Sequence, residues 1–354
     1  MTHRLRRLDG LRGIAILLVI FGHVGDFTLG VHQAGEIGAV GVLLFFILSG
    51  HLITGMLYRE ITESCRINLR EFFIRRALRI LPAFWLLIGV TILLMLIGLV
   101  TDVTWKAILA CLLFARNIRG RGQSLGHIWS LSLQEQFYFV WPLIMAKFGL
   151  RRAMQVAIFL IVAGTCWRTF AIATQRYPYE SDIFYLRTDF RLDSILVGCV
   201  IALAMQEERL GAQLARTFSA VPVAVPLLLL VVWSLTASIS VTLRPAFLTV
   251  ETVLACAAFT SFVVSDPRAL VVRICEHRST VWLGTMSYSL YLWQQLFVVT
   301  REPSWGALRQ LPLNLVCIVA AAMLSHRFVE GPAIRWRQRH SRTAAPRPPI
   351  IAGA

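Results

Sequence analysis

The sequence predicts an all-α fold: a polytopic transmembrane helix bundle of about ten spans with N- and C-termini on the cytoplasmic side. Three observations carry this. Of 354 residues, 57% are hydrophobic and only 15% charged, against about 25% charged in an average soluble domain. The mean hydropathy is +0.67. Apolar segments recur along the whole chain, near residues 11–29, 40–57, 81–100, 128–148, 153–173, 191–206, 218–235, 246–264, 281–299 and 311–329. This pattern excludes a soluble globular domain, a disordered chain and a secreted disulfide scaffold. No internal repeat is evident. Residues 1–332 read as one membrane domain and 333–354 as a basic cytoplasmic tail expected to be disordered.

The elements follow in order. Segment 11–29 resembles the apolar stretch of a signal peptide, but it lacks a small-residue cleavage site and carries Arg12 and His23, so it reads as a retained anchor. Segment 40–57 precedes six arginines in 58–80. The apolar stretch 105–115 is too short to span and is expected to be interfacial or re-entrant. Segments 128–148 and 153–173 are read as separate spans. The span at 191–206 opens on Asp189, Arg191 and Asp193, which either pair with one another or guide a substrate. Ser287, Tyr288, Tyr291 and Trp293 on the span at 281–299 read as a packing and interfacial surface. Gly22, Gly41, Gly50 and Gly198 are expected to let helices approach closely. Glu330 is expected to mark the cytoplasmic end of the last span and to pair with a loop arginine.

The net charge of +16 suggests a nucleic-acid partner only until its distribution is examined. With ten spans and a cytoplasmic N-terminus, and Lys147 at the edge of its span counted with the adjoining inside loop, inside segments hold 22 Lys/Arg, outside segments 9 and the spans 4. The excess is topological, following the positive-inside rule, and no nucleic-acid partner is expected. The seven cysteines are odd in number and lack metal-ligand spacing, so they read as packing residues and no metal site is expected.

Ionisable groups inside spans are candidates for function because hydrocarbon makes them costly. Arg12 and His23 are eleven residues apart, which returns them to nearly the same helix face about 16 Å apart along the axis. His23 then sits about 18 Å into a hydrocarbon core of about 30 Å. Glu135 and Gln294, entering from opposite sides, reach a comparable depth, and Glu135 is the expected partner that orients the His23 ring. The alternative is that His23 and Glu135 are hydrogen-bonded packing residues.

The stretches RLDGLRGIAILLVIFGH (7–23), GVLLFFILSGHLIT (41–54), RRALRILPAFW (75–85), HIWSLSLQEQFYFVWPL (127–143), TDFRLDSILVG (188–198), LGTMSYSLYLW (283–293) and FVEGP (328–332) occur in an order that resembles the acyltransferase 3 family of membrane O-acyltransferases. That family includes bacterial O-antigen and exopolysaccharide acetylases. The resemblance implies a multi-pass protein of the bacterial cytoplasmic membrane that uses acyl-CoA, most commonly acetyl-CoA, as donor substrate and no tightly bound cofactor. It implies His23 as the catalytic histidine, with Arg12, Arg75, Arg76 and Arg79 at the donor side. His127 and Glu135 match one family block, and Asp189, Arg191 and Asp193 match its extracytoplasmic polar motif. Three positions depart from the pattern: Gln134 replaces a glutamate, Gln294 replaces a histidine and His51 replaces an apolar residue. With 25 residues after 329, the resemblance also implies the form without an appended hydrolase-like domain.

Together these readings predict transfer from cytoplasmic acyl-CoA to a hydroxyl of an extracytoplasmic glycan or glycolipid, with membrane lipids as surroundings. The arginines supply bidentate donors for phosphate, and His23 acts as general base, paired with Glu135. Arg75, Arg76 and Arg79 also have the plainer reading of positive-inside anchors. Ser49 is a candidate nucleophile should the reaction pass through an acyl-enzyme. The competing class is a transporter or flippase of a lipid-linked glycan or acyl carrier, which also places polar residues at mid-membrane depth.

Overall fold

The computed structural model describes residues 3–118, 124–176, 183–237, 244–299 and 303–341, and every regular element among them is helical. The order is α1 (His3–His23), a π-helical turn (Val24–Thr28), α2 (Gln33–Ser64), α3 (Leu69–Leu96), α4 (Trp105–Leu112), α5 (Ile128–Ala173), α6 (Ile183–Leu186), α7 (Thr188–Ala204), α8 (Glu208–Ser219), α9 (Ala224–Ala237), α10 (Arg244–Val264), α11 (Leu270–Glu276), α12 (Arg278–Val298), α13 (Leu313–Ser325), a second π-helical turn (His326–Glu330) and α14 (Gly331–Ser341).

The centre is built around α1, which packs against α12 on one side and α2 on the other, while α2 continues onto α7 and α7 onto α5. Glycine makes these crossings close. A Cβ at Gly284 of α12 would overlap the Asp9 carbonyl of α1, and one at Gly13 would overlap that of Thr280. Gly50 and Gly198 play the same part between α2 and α7, against the carbonyls of Ile195 and Ile47. Gly22 and Gly41 likewise face the α1–α2 seam, as expected from their composition-driven role. Outward faces stay apolar, with Leu93, Phe159, Leu228 and Phe328 exposed.

Among the described residues, six helices are long and apolar enough to cross a membrane, or seven if the bent pair α8–α9 counts as one. The count differs from ten for identifiable reasons. Segments 128–148 and 153–173 are two helices that meet at a kink at Gly149 (φ 73°, ψ 176°), separate as expected, and the continuous stretch α5 counts only once in that total. Only a glycine adopts that backbone conformation readily. Helices α7 (17 residues) and α9 (14 residues) rise about 26 and 21 Å, short of a core of about 30 Å. Helix α12 has the length, but its Thr, Ser and Gln side chains dilute its hydropathy. Stretch 105–115 is the eight-residue α4, about 12 Å long and too short to span.

The last helical stretch runs through the boundary expected at 332, with Gly331–Ser341 helical; the rest of the expected tail, 342–354, lies outside the described residues. Glu330 is buried and, instead of pairing with a loop arginine, accepts a hydrogen bond from Ser289 of α12 and faces His326 at 3.4 Å.

Candidate active site

The arginine-rich end of the bundle holds two adjoining cavities. The larger, about 870 Å³, lies between α1, α2 and α3 and is lined by Arg12, Arg59, Arg75, Arg76 and Arg79, with Glu60, Glu63 and Glu71 on its wall. The smaller, about 90 Å³, shares Arg12, Arg76 and Arg79 with it and runs inward between Ser49, Ser130, Gln134, Tyr138, Tyr288 and Tyr291. The three shared guanidinium groups therefore stand where a wide basin narrows to a slot.

The four sequence-selected arginines are not equivalent there. Arg75 is engaged by Glu60 at 3.3 Å and Glu71 at 3.6 Å. Arg12 pairs with Asp9 at 3.0 Å, one helical turn away. Arg76 lies 4.1 Å over the Tyr138 ring, a cation–π contact. Arg79 feels the field of Asp9 and Glu330 along with the repulsion of Arg12. A cluster of cations whose compensation is partial suits an anionic ligand.

The slot ends at a polar layer. Tyr291 donates to the His127 carbonyl at 2.8 Å and shares a short hydrogen bond with Ser130. Tyr288, on the same face of α12, donates to the Ile80 carbonyl at 2.7 Å. Residues read from sequence as packing surface thus form the slot wall. Past them, the His127 ring and main chain both meet Gln295, and Gln295 reaches His23.

His23 is the last residue of α1, where the chain passes into the π-helical turn. Such turns widen a helix locally and recur at functional sites. Its Nδ1 lies 3.0 Å from Gln294 Oε1, and its Nε2 lies 3.4 Å from Gln295 Nε2. The expected orienting carboxylate is not the ring's partner. Glu135 turns toward Arg76 and Tyr288, and its Oε1 is buried with no hydrogen-bond partner. The reason is rotational: depth along α5 places Glu135 near the slot, whereas α12 presents two amides directly to α1 across the glycine seam. Ser49 lines the slot, separated from His23 by the layer just described.

Asp189, Arg191 and Asp193 do not pair with one another. Asp189 binds Arg187 and the Trp167 indole, both at 2.9 Å. Asp193 pairs with Arg168 of α5 at 2.9 Å, and Arg191 pairs with Glu251 of α10 at 3.2 Å, all four buried. Arg168 also donates to the Phe190 carbonyl and Thr249. Around Arg191, Nε and Nη2 of the guanidinium, Glu251 Oε1 and the Tyr185 hydroxyl are buried with no hydrogen-bond partner among the described residues.

The family profile described as an acyltransferase domain, acyltransferase 3, matches residues 5–325. The chain belongs to the acyltransferase 3 family. Among curated members, it is 28% identical over 356 residues to a putative peptidoglycan O-acetyltransferase of Bacillus subtilis (strain 168), covering 92% of this chain and 54% of that protein. It is 27% identical over 360 residues to a peptidoglycan O-acetyltransferase of Listeria monocytogenes, covering 92% and 55%. A putative O-acetyltransferase of Staphylococcus aureus (strain MRSA252) is 28% identical over 374 residues, covering 94% and 59%. The chain thus spans a little over half the length of these relatives. No solved structure matches it significantly.

Within this family frame, the residues that sequence reasoning missed are informative. Glu251 is the only acidic residue in Arg244–Val264, a signal that the cost of intramembrane charge makes readable. Gln295 carries no such signal, being one polar residue beside another.

Proposed function

We propose that this acyltransferase moves an acetyl group from acyl-CoA, bound at the arginine-rich end, to a carbohydrate hydroxyl reaching the opposite end of the bundle. The observation that carries the reading is the basin-to-slot geometry, with Arg12, Arg76 and Arg79 at the junction and the slot leading to the layer that contains His23. The basin suits the phosphates and nucleotide of coenzyme A, and the slot has the narrow, partly aromatic wall that an extended pantetheine arm requires. By the positive-inside rule this end faces the cytoplasm, where acyl-CoA is made. The bundle would sit in a bacterial cytoplasmic membrane.

His23 acts as general base. One ring nitrogen takes the proton of the acceptor hydroxyl as its oxygen attacks the thioester carbonyl. The tetrahedral intermediate collapses with cleavage of the carbon–sulfur bond, and the imidazolium returns the proton to the departing thiolate. The products are an ester and free coenzyme A. Ser49 stays on the slot wall with no nucleophilic role. Arg191, Glu251 and Tyr185 hold unused hydrogen-bonding capacity of both signs, which suits a hydroxyl-rich acceptor such as a glycan. Peptidoglycan is the first acceptor to test, because two of the relatives carry it in their names.

The test is thiol release from acetyl-CoA by purified protein reconstituted in lipid, with and without peptidoglycan fragments, for wild type and His23→Ala. Acceptor-stimulated release that disappears in the variant is expected. Binding of acetyl-CoA by wild type with no release under any acceptor would overturn the reading and favour a transporter.

A further inference from the structure

The hydrogen bonds around His23 carry information about its proton that the base assignment alone does not. The chain of contacts starts at the main-chain N–H of His127, just before the N-terminus of α5, where an amide has no partner within its own helix. That group can only donate, and it points at Gln295 Oε1 at 2.9 Å. The Gln295 amide is thereby oriented, oxygen toward α5. The His127 ring faces acceptors on both sides, with Nδ1 2.9 Å from Oε1 and Nε2 3.0 Å from the Leu292 carbonyl, so a neutral ring donates to only one of them and it is the main-chain N–H that orients the amide.

With its oxygen committed, Gln295 presents Nε2 to His23 Nε2 at 3.4 Å. An amide nitrogen offers only protons. A neutral imidazole facing it there must show its lone pair, so its single proton lies on Nδ1, opposite Gln294 Oε1 at 3.0 Å. Asp26, the carboxylate whose charge reaches His23, is hydrogen-bonded to His32 Nδ1 at 2.6 Å and not to the His23 ring.

We propose that Gln295, oriented by the main chain of His127, is a positioning residue that fixes His23 as the Nδ1–H tautomer and leaves Nε2 as the nitrogen that accepts the hydroxyl proton. Gln294 completes the relay by accepting from Nδ1. The reaction site is then the Nε2 side of the ring, where the long contact to Gln295 is the bond an incoming hydroxyl replaces. The relay does the orienting that a carboxylate does in a triad, without adding a charge in the membrane. The assignment of a chemical role to Nε2 rests on His23 being the base; the tautomer itself does not.

The experiment is nitrogen-15 magnetic resonance of histidine-labelled full-length protein in lipid bilayers, with His23 assigned by the signals lost in His23→Gln. A pyrrole-like, protonated Nδ1 and a pyridine-like Nε2 are expected for wild type. In Gln295→Glu the new carboxylate still accepts from His127 but can only accept from His23, so Nε2 gains a proton and no longer offers a lone pair to the hydroxyl. Transfer then falls in kcat by up to about 10⁴-fold, the order of effect a wrong tautomer has in a triad, with KM for acetyl-CoA unchanged. A wild-type ring protonated on Nε2, or on both nitrogens, overturns the inference even if no variant folds. So does a Gln295→Glu protein whose Nε2 stays unprotonated. If the tautomer is as stated but His23→Ala retains transfer, the base assignment fails and the relay stands.

Discussion

Two buried polar regions on the same bundle solve the cost of polarity in hydrocarbon in opposite ways. Around His23 the partners are neutral amides, Gln294 and Gln295, and the one titratable group they hold can exchange its proton. Around α5, α7 and α10 the partners are full charges: Arg168 with Asp193, and Arg191 with Glu251. A compensated ion pair is hard to titrate and locks helices together; an amide-bound imidazole orients a ring while leaving it free to react. The difference separates a region suited to proton transfer from one in which the Arg168–Asp193 pair locks α5 to α7 while Arg191 and Glu251 keep hydrogen-bonding capacity to spare.

Removing the titratable group tests this contrast most severely. His23→Ala is expected to reduce acetyl transfer by about 10²–10⁴-fold, the range for a general base, while leaving membrane insertion and thermal stability close to wild type. A variant with near-normal turnover would place the proton transfer elsewhere.

The ion-pair region should respond in the opposite sense. Asp193→Asn leaves Arg168 buried without its counter-charge and is expected to destabilise the folded bundle by about 3–5 kcal/mol, read as a large drop in thermal midpoint in detergent. Replacing Arg168 and Asp193 together by Met and Leu should recover much of that loss, since a buried pair exchanged for apolar packing is often neutral. If the double variant is no better than the single one, the pair does more than hold α5 against α7.

Within the basic cluster, Arg79 and Arg75 give a finer comparison. Arg75 is already occupied by Glu60 and Glu71, whereas Arg79 stands at the basin–slot junction with no carboxylate in salt-bridge contact among the described residues. Arg79→Ala is expected to raise KM for acetyl-CoA about tenfold, as loss of one charge-assisted bond does. Arg75→Ala should change it by less than about threefold, consistent with a partly exposed pair. Equal effects would mean that the cluster acts as a diffuse field.

Much of this arrangement was legible in the sequence because charge in an apolar segment is conspicuous. Arg12 and the 75–79 arginines gather at one end of the bundle with His23 further along α1, as the eleven-residue spacing predicts, and the glycine seams fall at the small residues. Rotation was not legible. Depth along a helix placed Glu135 level with His23, but the rotation of α5 about its axis, which turns Glu135 toward Arg76, leaves no trace in residue depth. For the same reason Asp193 was assigned neighbours on its own helix when its partner, Arg168, lies 25 residues away on α5.

The smallest expected effect is at Gln294, where the family pattern has histidine. A histidine there can accept from Nδ1 of His23 through one ring nitrogen, as Gln294 Oε1 does, so the relay survives the change in its essential feature. It differs in being able to rotate its tautomer, and the His23 proton is then held less firmly. Gln294→His is therefore expected to alter kcat by less than about fivefold, about three orders of magnitude below the loss from a misplaced tautomer, and to leave acetyl-CoA affinity unchanged. Gln294→Leu, which cannot accept at all, should lose more than the histidine variant, because Nδ1–H is left buried without a partner. If leucine and histidine behave alike, Gln294 serves only to pack α12 against α1, and the relay ends at Gln295.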